Sequence, residues 1–212
     1  MFLSSSLFLF YFVFSDAADK ITQSNRCNPI RDLSGVLMLN SSGSLVLLSQ
    51  NKTIAWSASS TKEVGSPVFE LLDSGNLVLG EENEENPGSY LWQSIDYPSD
   101  TWLPGMKHGW DLRSGLERRL TAWKSPDDPS LGELNCGIEL NNYPEIVVKN
   151  GSKKFSRICP WNGVGFSGAL GLKANQIYHF NFVSNNDEVY IIYHMIKNSA
   201  ITRAVLNLLE IY

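Results

Sequence analysis

The stretch Leu37-Met38-Leu39-Asn40-Ser41-Ser42-Gly43-Ser44-Leu45-Val46-Leu47 decides the fold, because it recurs as Phe69-Glu70-Leu71-Leu72-Asp73-Ser74-Gly75-Asn76-Leu77-Val78-Leu79. In each copy apolar residues alternate on either side of a Ser-Gly turn, the signature of a β-hairpin. A tryptophan-bearing strand follows each copy, Ile54-Ala55-Trp56-Ser57 and Tyr90-Leu91-Trp92-Gln93-Ser94. Such self-similarity marks a repeated structural unit. Between the second copy and its strand, Glu81-Glu82-Asn83-Glu84-Glu85-Asn86-Pro87-Gly88 is a block of charge without the ligand spacing of a calcium loop. It reads as a solvated tip.

Beyond Gly105 the texture changes to longer strands with Asn, Gly and Pro turns. Ile138 to Leu140 and Glu145 to Lys149 flank Asn141-Asn142-Tyr143-Pro144, and Tyr178 to Val183 and Val189 to His194 flank Ser184-Asn185-Asn186-Asp187. Both pairs predict hairpins. No segment before Ala204 sustains a helical period, so the chain reads as all-β.

Bulk properties narrow the function. With 212 residues there is room for one or two modest domains, and a net charge of -5 gives no electrostatic case for nucleic acid. Met1 to Phe14 is strongly apolar, but its core from Leu7 to Phe14 is far shorter than the ~20 residues needed to span a bilayer. Ser15-Asp16-Ala17 supplies small residues where a signal peptidase cuts, so residues 1–17 read as a secretory signal, although the n-region lacks Lys and Arg. The sequons at Asn40, Asn51 and Asn150 agree with export and with N-glycosylation. Cys27, Cys136 and Cys159 are an odd number, and no close pair exists that suits a metal.

Sites of chemistry are sparse. Gly163-Val164-Gly165-Phe166-Ser167-Gly168 matches a dinucleotide fingerprint by letter, but Pro160-Trp161-Asn162 precedes it and no helical pattern follows. It reads as a turn. His108, His179 and His194 are scattered, with no zinc-protease, hydrolase-elbow or kinase element beside them. Asp127-Asp128-Pro129 pairs two carboxylates inside a proline-marked turn. No residue is assigned to catalysis, a cofactor or a metal.

The connector from 92 to 124 is dense in aromatic anchors and turn residues, which predicts irregular, tight packing rather than an active site. It holds Trp92-Gln93-Ser94-Ile95-Asp96-Tyr97-Pro98-Ser99-Asp100-Thr101, Leu103-Pro104-Gly105-Met106-Lys107 and Trp123-Lys124-Ser125. These motifs, with Asp128-Pro129-Ser130, Gly132 and Cys159-Pro160-Trp161-Asn162-Gly163, resemble the ectodomain of plant S-domain receptor kinases and S-locus glycoproteins. The resemblance covers roughly residues 25–205.

The resemblance implies a bulb-type lectin β-prism over 27–105, then an S-locus-glycoprotein-like domain over 106–212. Ile21-Thr22-Gln23-Ser24 runs directly into Asn25-Arg26-Cys27-Asn28-Pro29-Ile30, so two of the family's three repeat units are expected and the lectin half should be marginally stable. Within the second domain a Cys136–Cys159 disulfide is expected. Mannose-binding bulb lectins carry Gln, Asp, Asn, Val and Tyr at alternate strand positions, which share one face. The corresponding residues here are Asn40, Ser42, Ser44, Val46 and Leu48, then Leu72, Ser74, Asn76, Val78 and Gly80. Asn76 and Val78 match, but the carboxylate and tyrosine are missing from both copies, leaving degenerate sugar sites. The implied function is secreted recognition of a protein or glycan ligand, of the pollen-recognition type, without catalysis and with association to full-length receptors. The alternative is an autonomous mannose-binding lectin.

Overall fold

In this computed structural model the described residues are 30, 34–58, 65–82, 90–158, 160–162, 166, 176–196 and 203–206. Among them every long element is a strand, and the only helical piece is a single 3-10 turn at Ser94–Asp96. The expected signal segment lies outside the described residues, as do Cys27, Cys159 and most of the Gly163–Gly168 run. The chain divides into two compact units, Met1–Ser94 and Ile95–Tyr212.

The first unit holds the two repeats as two three-stranded antiparallel sheets. Strands β1 (Val36–Leu39), β2 (Leu45–Leu48) and β3 (Ile54–Ala58) form one, and β4 (Pro67–Leu71), β5 (Leu77–Glu81) and β6 (Trp92–Gln93) form the other. The two turns share the same pair of backbone hydrogen bonds. Asn40 N–H donates to Ser44 O and Gly43 N–H to Asn40 O; Leu72 N–H donates to Asn76 O and Gly75 N–H to Leu72 O. The third residue of each turn sits in the left-handed region, Gly43 at φ 75° and Gly75 at φ 80°. A side chain there would be strained, which is why both copies need glycine. Leu37, Leu45, Ala58, Leu77, Leu79 and Trp92 from both sheets make one shared core.

The second unit has two four-stranded antiparallel sheets. One runs β10 (Leu120–Ser125), β11 (Asp128–Glu139), β12 (Glu145–Asn150) and β13 (Lys153–Ile158). The other has the order β14 (Tyr178–Ser184), β15 (Glu188–Met195), β8 (His108–Asp111) and β9 (Leu116–Arg118). Short strands β7 (Thr101–Trp102) and β16 (Ala204–Val205) pair with each other. Both expected hairpins are present, as β11–β12 and β14–β15. In the second, Asn185 Oδ1 accepts from the N–H groups of Asp187 and Glu188, both at 2.8 Å. Asp127 sits in the tight turn between β10 and β11, and Asp128 opens β11 with Oδ1 accepting from Ser130 N–H.

From Ile95 onward the connector is core material of this second unit. Trp102, Leu103 and Met106 pack with Leu120, Ile138, Ile146, Val189, Ile191 and Tyr193. Trp102 Nε1–H donates to Met106 O at 2.8 Å, Tyr193 O–H donates to Trp102 O at 3.1 Å, and Gly105 N–H donates to Tyr193 O at 2.8 Å. Residues 95–105, assigned by resemblance to the first domain, therefore pack within the second unit. Trp110 Nε1–H reaches from β8 to Ile138 O on β11 and ties the two sheets. At Gly109 the strands press so closely that an added Cβ would lie 2.2 Å from Val189 O, at φ 144°. Only glycine fits that crossing.

Candidate functional site

The sugar-type positions of the two repeats are the first candidate. In the first copy Asn40 Oδ1 accepts three hydrogen bonds, from Ser42 N–H at 3.0 Å, Ser42 O–H at 2.8 Å and Ser44 N–H at 2.9 Å. Ser42 Oγ and Ser44 Oγ are 3.3 Å apart. The polar groups of this tip satisfy one another, which holds the turn closed.

In the second copy Asn76 is 5% exposed. Its Nδ2–H donates to Gln93 Oε1 at 3.2 Å, and its Oδ1 accepts from Ser94 O–H at 3.1 Å. Ser94 Oγ accepts in turn from Leu77 N–H at 2.9 Å. Asn76 thus pins the end of β6 to the start of β5. Buried polar groups are kept only where they are paired in this way. Val46 and Val78, the positions that would pack on a sugar ring, are themselves buried. Gly80 stands where the sugar motif has tyrosine, and the ring of Tyr90 would contact a Cβ placed there at 3.4 Å.

The second candidate is a pairing that sequence reasoning missed. Cys136 Sγ on β11 lies 3.8 Å from His108 Nε2 on β8. His108 is 2% exposed; burial first, then the nearby Arg119 charge, pull its pKa down to about 4. Burial pushes the Cys136 thiol up to about 12, against a smaller opposing pull from Arg119. Both groups are neutral at pH 7, so this is no thiolate–imidazolium nucleophile. Cys136 Sγ turns toward His108 beside the core, and the expected Cys136–Cys159 bridge involves Cys159, which lies outside the described residues. No local spacing links positions 108 and 136, so nothing in the sequence signalled the contact.

The remaining sequence candidates separate. Phe166, inside the glycine-rich run, is buried, bridges to Trp161 and meets its ring edge to face at 5.3 Å, which is core packing. Glu81 Oε1 accepts from Gly65 N–H at 3.3 Å, and residues 83–89 lie outside the described part. Asn51 and Asn150 are exposed at hairpin turns, and Asn40 is partly buried. His179 and His194 are direct partners across β14 and β15. Among the described residues no group of three or more His, Cys, Asp or Glu side chains forms a metal cluster. No helix among them is long and apolar enough to cross a membrane.

Comparison with known proteins fits this geometry. A family model described as D-mannose binding lectin matches residues 23–124. The chain is 40% identical over 181 residues to the receptor-like serine/threonine-protein kinase SD1-8 of Arabidopsis thaliana, covering 84% of this chain and 21% of that protein. It is 40% identical over 185 residues to the S-locus-specific glycoprotein S6 of Brassica oleracea, covering 86% of this chain and 42% of that protein. To the G-type lectin S-receptor-like kinase RKS1 of Arabidopsis thaliana it is 36% identical over 187 residues, covering 86% and 22%. The chain thus spans between about a fifth and two fifths of the length of these relatives. Two tryptophan-bearing repeats, a packed connector and matches to both S-locus glycoprotein and receptor-kinase relatives converge: the chain belongs to the plant S-domain family of S-locus glycoproteins and G-type lectin receptor-like kinases.

Proposed function

We propose that this chain is an extracellular recognition module that binds a protein or a complex glycan, and that its repeats do not bind simple mannose. One observation carries the reading: the two repeats keep their hairpins while the polar groups at the sugar-type positions are spent internally, Asn76 on Gln93 and Ser94 and Asn40 on its own turn. A sugar hydroxyl would have to displace those bonds and leave buried groups unpaired, at about 1–3 kcal/mol for each group. The fold supplies shape without the chemistry of a monosaccharide site. In this reading the module works at the cell surface or in the wall space, performs no catalytic step, and associates with copies of itself or with full-length receptors. Recognition of pollen is the finer form of the same proposal.

The mannose-lectin alternative is favoured by the family model alone. Fluorescently labelled, secreted chain applied to plant cells should bind saturably, and millimolar methyl mannoside should not compete. Competition by methyl mannoside, or a saturable calorimetric response to mannose, would overturn the proposal in favour of the lectin.

A further inference from the structure

His179 and His194 bring together chemistry that the recognition reading does not use. They are direct cross-strand partners on β14 and β15, in a hairpin fixed by seven consecutive paired positions. Strand alternation turns them away from Tyr178, Phe180, Tyr193 and Met195, which pack against the core. Both histidines are partly exposed. Their ring centres are 5.4 Å apart and the planes are tilted by 31°. Two imidazoles sharing one ion through nitrogens ~2.0–2.1 Å away hold their ring centres roughly 4.5–5.5 Å apart. The observed spacing therefore already suits a common ligand.

The electrostatics permit it. Partial burial, then the neighbouring His179, hold His194 below the usual histidine range. The next pair along this face, Asn181 and Ile192, carries no charge. Farther along, Glu188 and Lys107 neutralise each other at 2.5 Å.

We propose that the His179–His194 pair chelates one borderline divalent transition-metal ion across β14 and β15, with water completing the coordination. Imidazole selects Cu2+, Ni2+ and Zn2+ over Mg2+ or Ca2+. No cluster of three or more metal-binding side chains exists among the described residues, so a bound ion would exchange readily. Because β14 is the outer strand of its sheet, the ion would clip the edge hairpin shut.

Calorimetric titration of untagged full chain with Ni2+ at pH 7.5, beside His179→Gln and His194→Gln, tests this. The parent should show one saturable site. Each variant should bind at least ~10-fold more weakly, since a two-point chelate collapses to one contact. Ni2+ should also raise the urea midpoint of the parent and leave both variants unchanged, as expected for a ligand of the folded state. No saturable binding in the parent, or parent-like affinity in either variant, would overturn the proposal. If a variant fails to fold, NMR of the parent decides: Cu2+ should broaden the signals of both imidazoles, and broadening of one or neither would overturn it.

Discussion

Trp56 and Trp92 occupy equivalent places in the two repeats, and their rings meet edge to face with centroids 5.4 Å apart. Each stands opposite the matching leucine of its own hairpin, Leu47 for Trp56 and Leu79 for Trp92. Aromatic pairs in this arrangement add ~0.5–1.5 kcal/mol beyond the area they bury. Trp92→Ala should therefore cost about 3–5 kcal/mol as a buried large-to-small change. Hydrogen exchange over residues 34–58 and 65–82 is the measurement. Either Trp→Ala variant should weaken protection in both repeats, and loss confined to the altered repeat would show that the pair does not join them.

Asn76 is predicted to matter for folding and not for sugar. Asn76→Ala strips Ser94 and Gln93 of a partner and should destabilise the first unit by ~1–3 kcal/mol. Chemical denaturation followed by exchange at Leu77 and Leu79 would register it. A glycan array should show the same profile for parent and variant; a selective loss of mannose signal would make Asn76 a ligand residue after all.

Stability should fall on acidification through one particular window. His108 is neutral in the core with its pKa lowered from 6.5 to about 4, so below pH 6.5 the unfolded chain takes up a proton that the folded one refuses. The stabilising contribution is complete above about 6.5, declines between about 6.5 and 4, and is gone below that. Its size is on the order of 3 kcal/mol at ~1.4 kcal/mol per pKa unit. The carboxyl of Glu139, held down to about 2 by Lys149 and then Lys154, titrates below this window. Urea midpoints at pH 7 and pH 4.5 should differ much less in His108→Gln than in the parent. Equal pH sensitivity in the two would remove His108 as the cause.

N-glycans are expected on Asn51 and Asn150, which stand exposed at hairpin turns. Secretion from insect cells followed by endoglycosidase should shift the parent band. Asn51→Gln and Asn150→Gln should each remove one step of that shift, and a parent band that does not move would end the prediction.

What could be read in the sequence was what lies close along the chain. The Ser-Gly turns at 42–43 and 74–75 announce their hairpins because glycine at positive φ and alternating flanks are local signals. The hairpins around 141–144 and 184–187 were legible for the same reason. The β8–β9 hairpin was not, since Gly109 is dictated by Val189 and Tyr190, which arrive much later. Strand β13, almost wholly exposed with Lys153, Lys154 and Arg157, lacks the apolar alternation that marks a half-buried strand. At the candidate site, the missing acid and tyrosine were visible by inspection, but the commitment of Asn76 to Gln93 and Ser94 needed the register of β5 against β6.

Trp102 also sets a timetable. Its backbone carbonyl waits for the hydroxyl of Tyr193, a partner 91 residues downstream. A ribosome delivering ~5–20 residues per second has the N-terminal hairpins in hand several seconds before that tyrosine exists. Throughout that interval the indole of Trp102 has no finished core to enter. The connector is thus seated late although it is made early, and the second unit can close only after β15 has been made. Substitutions at Tyr193 would lengthen that exposed interval, so their damage would show first as reduced yield during synthesis.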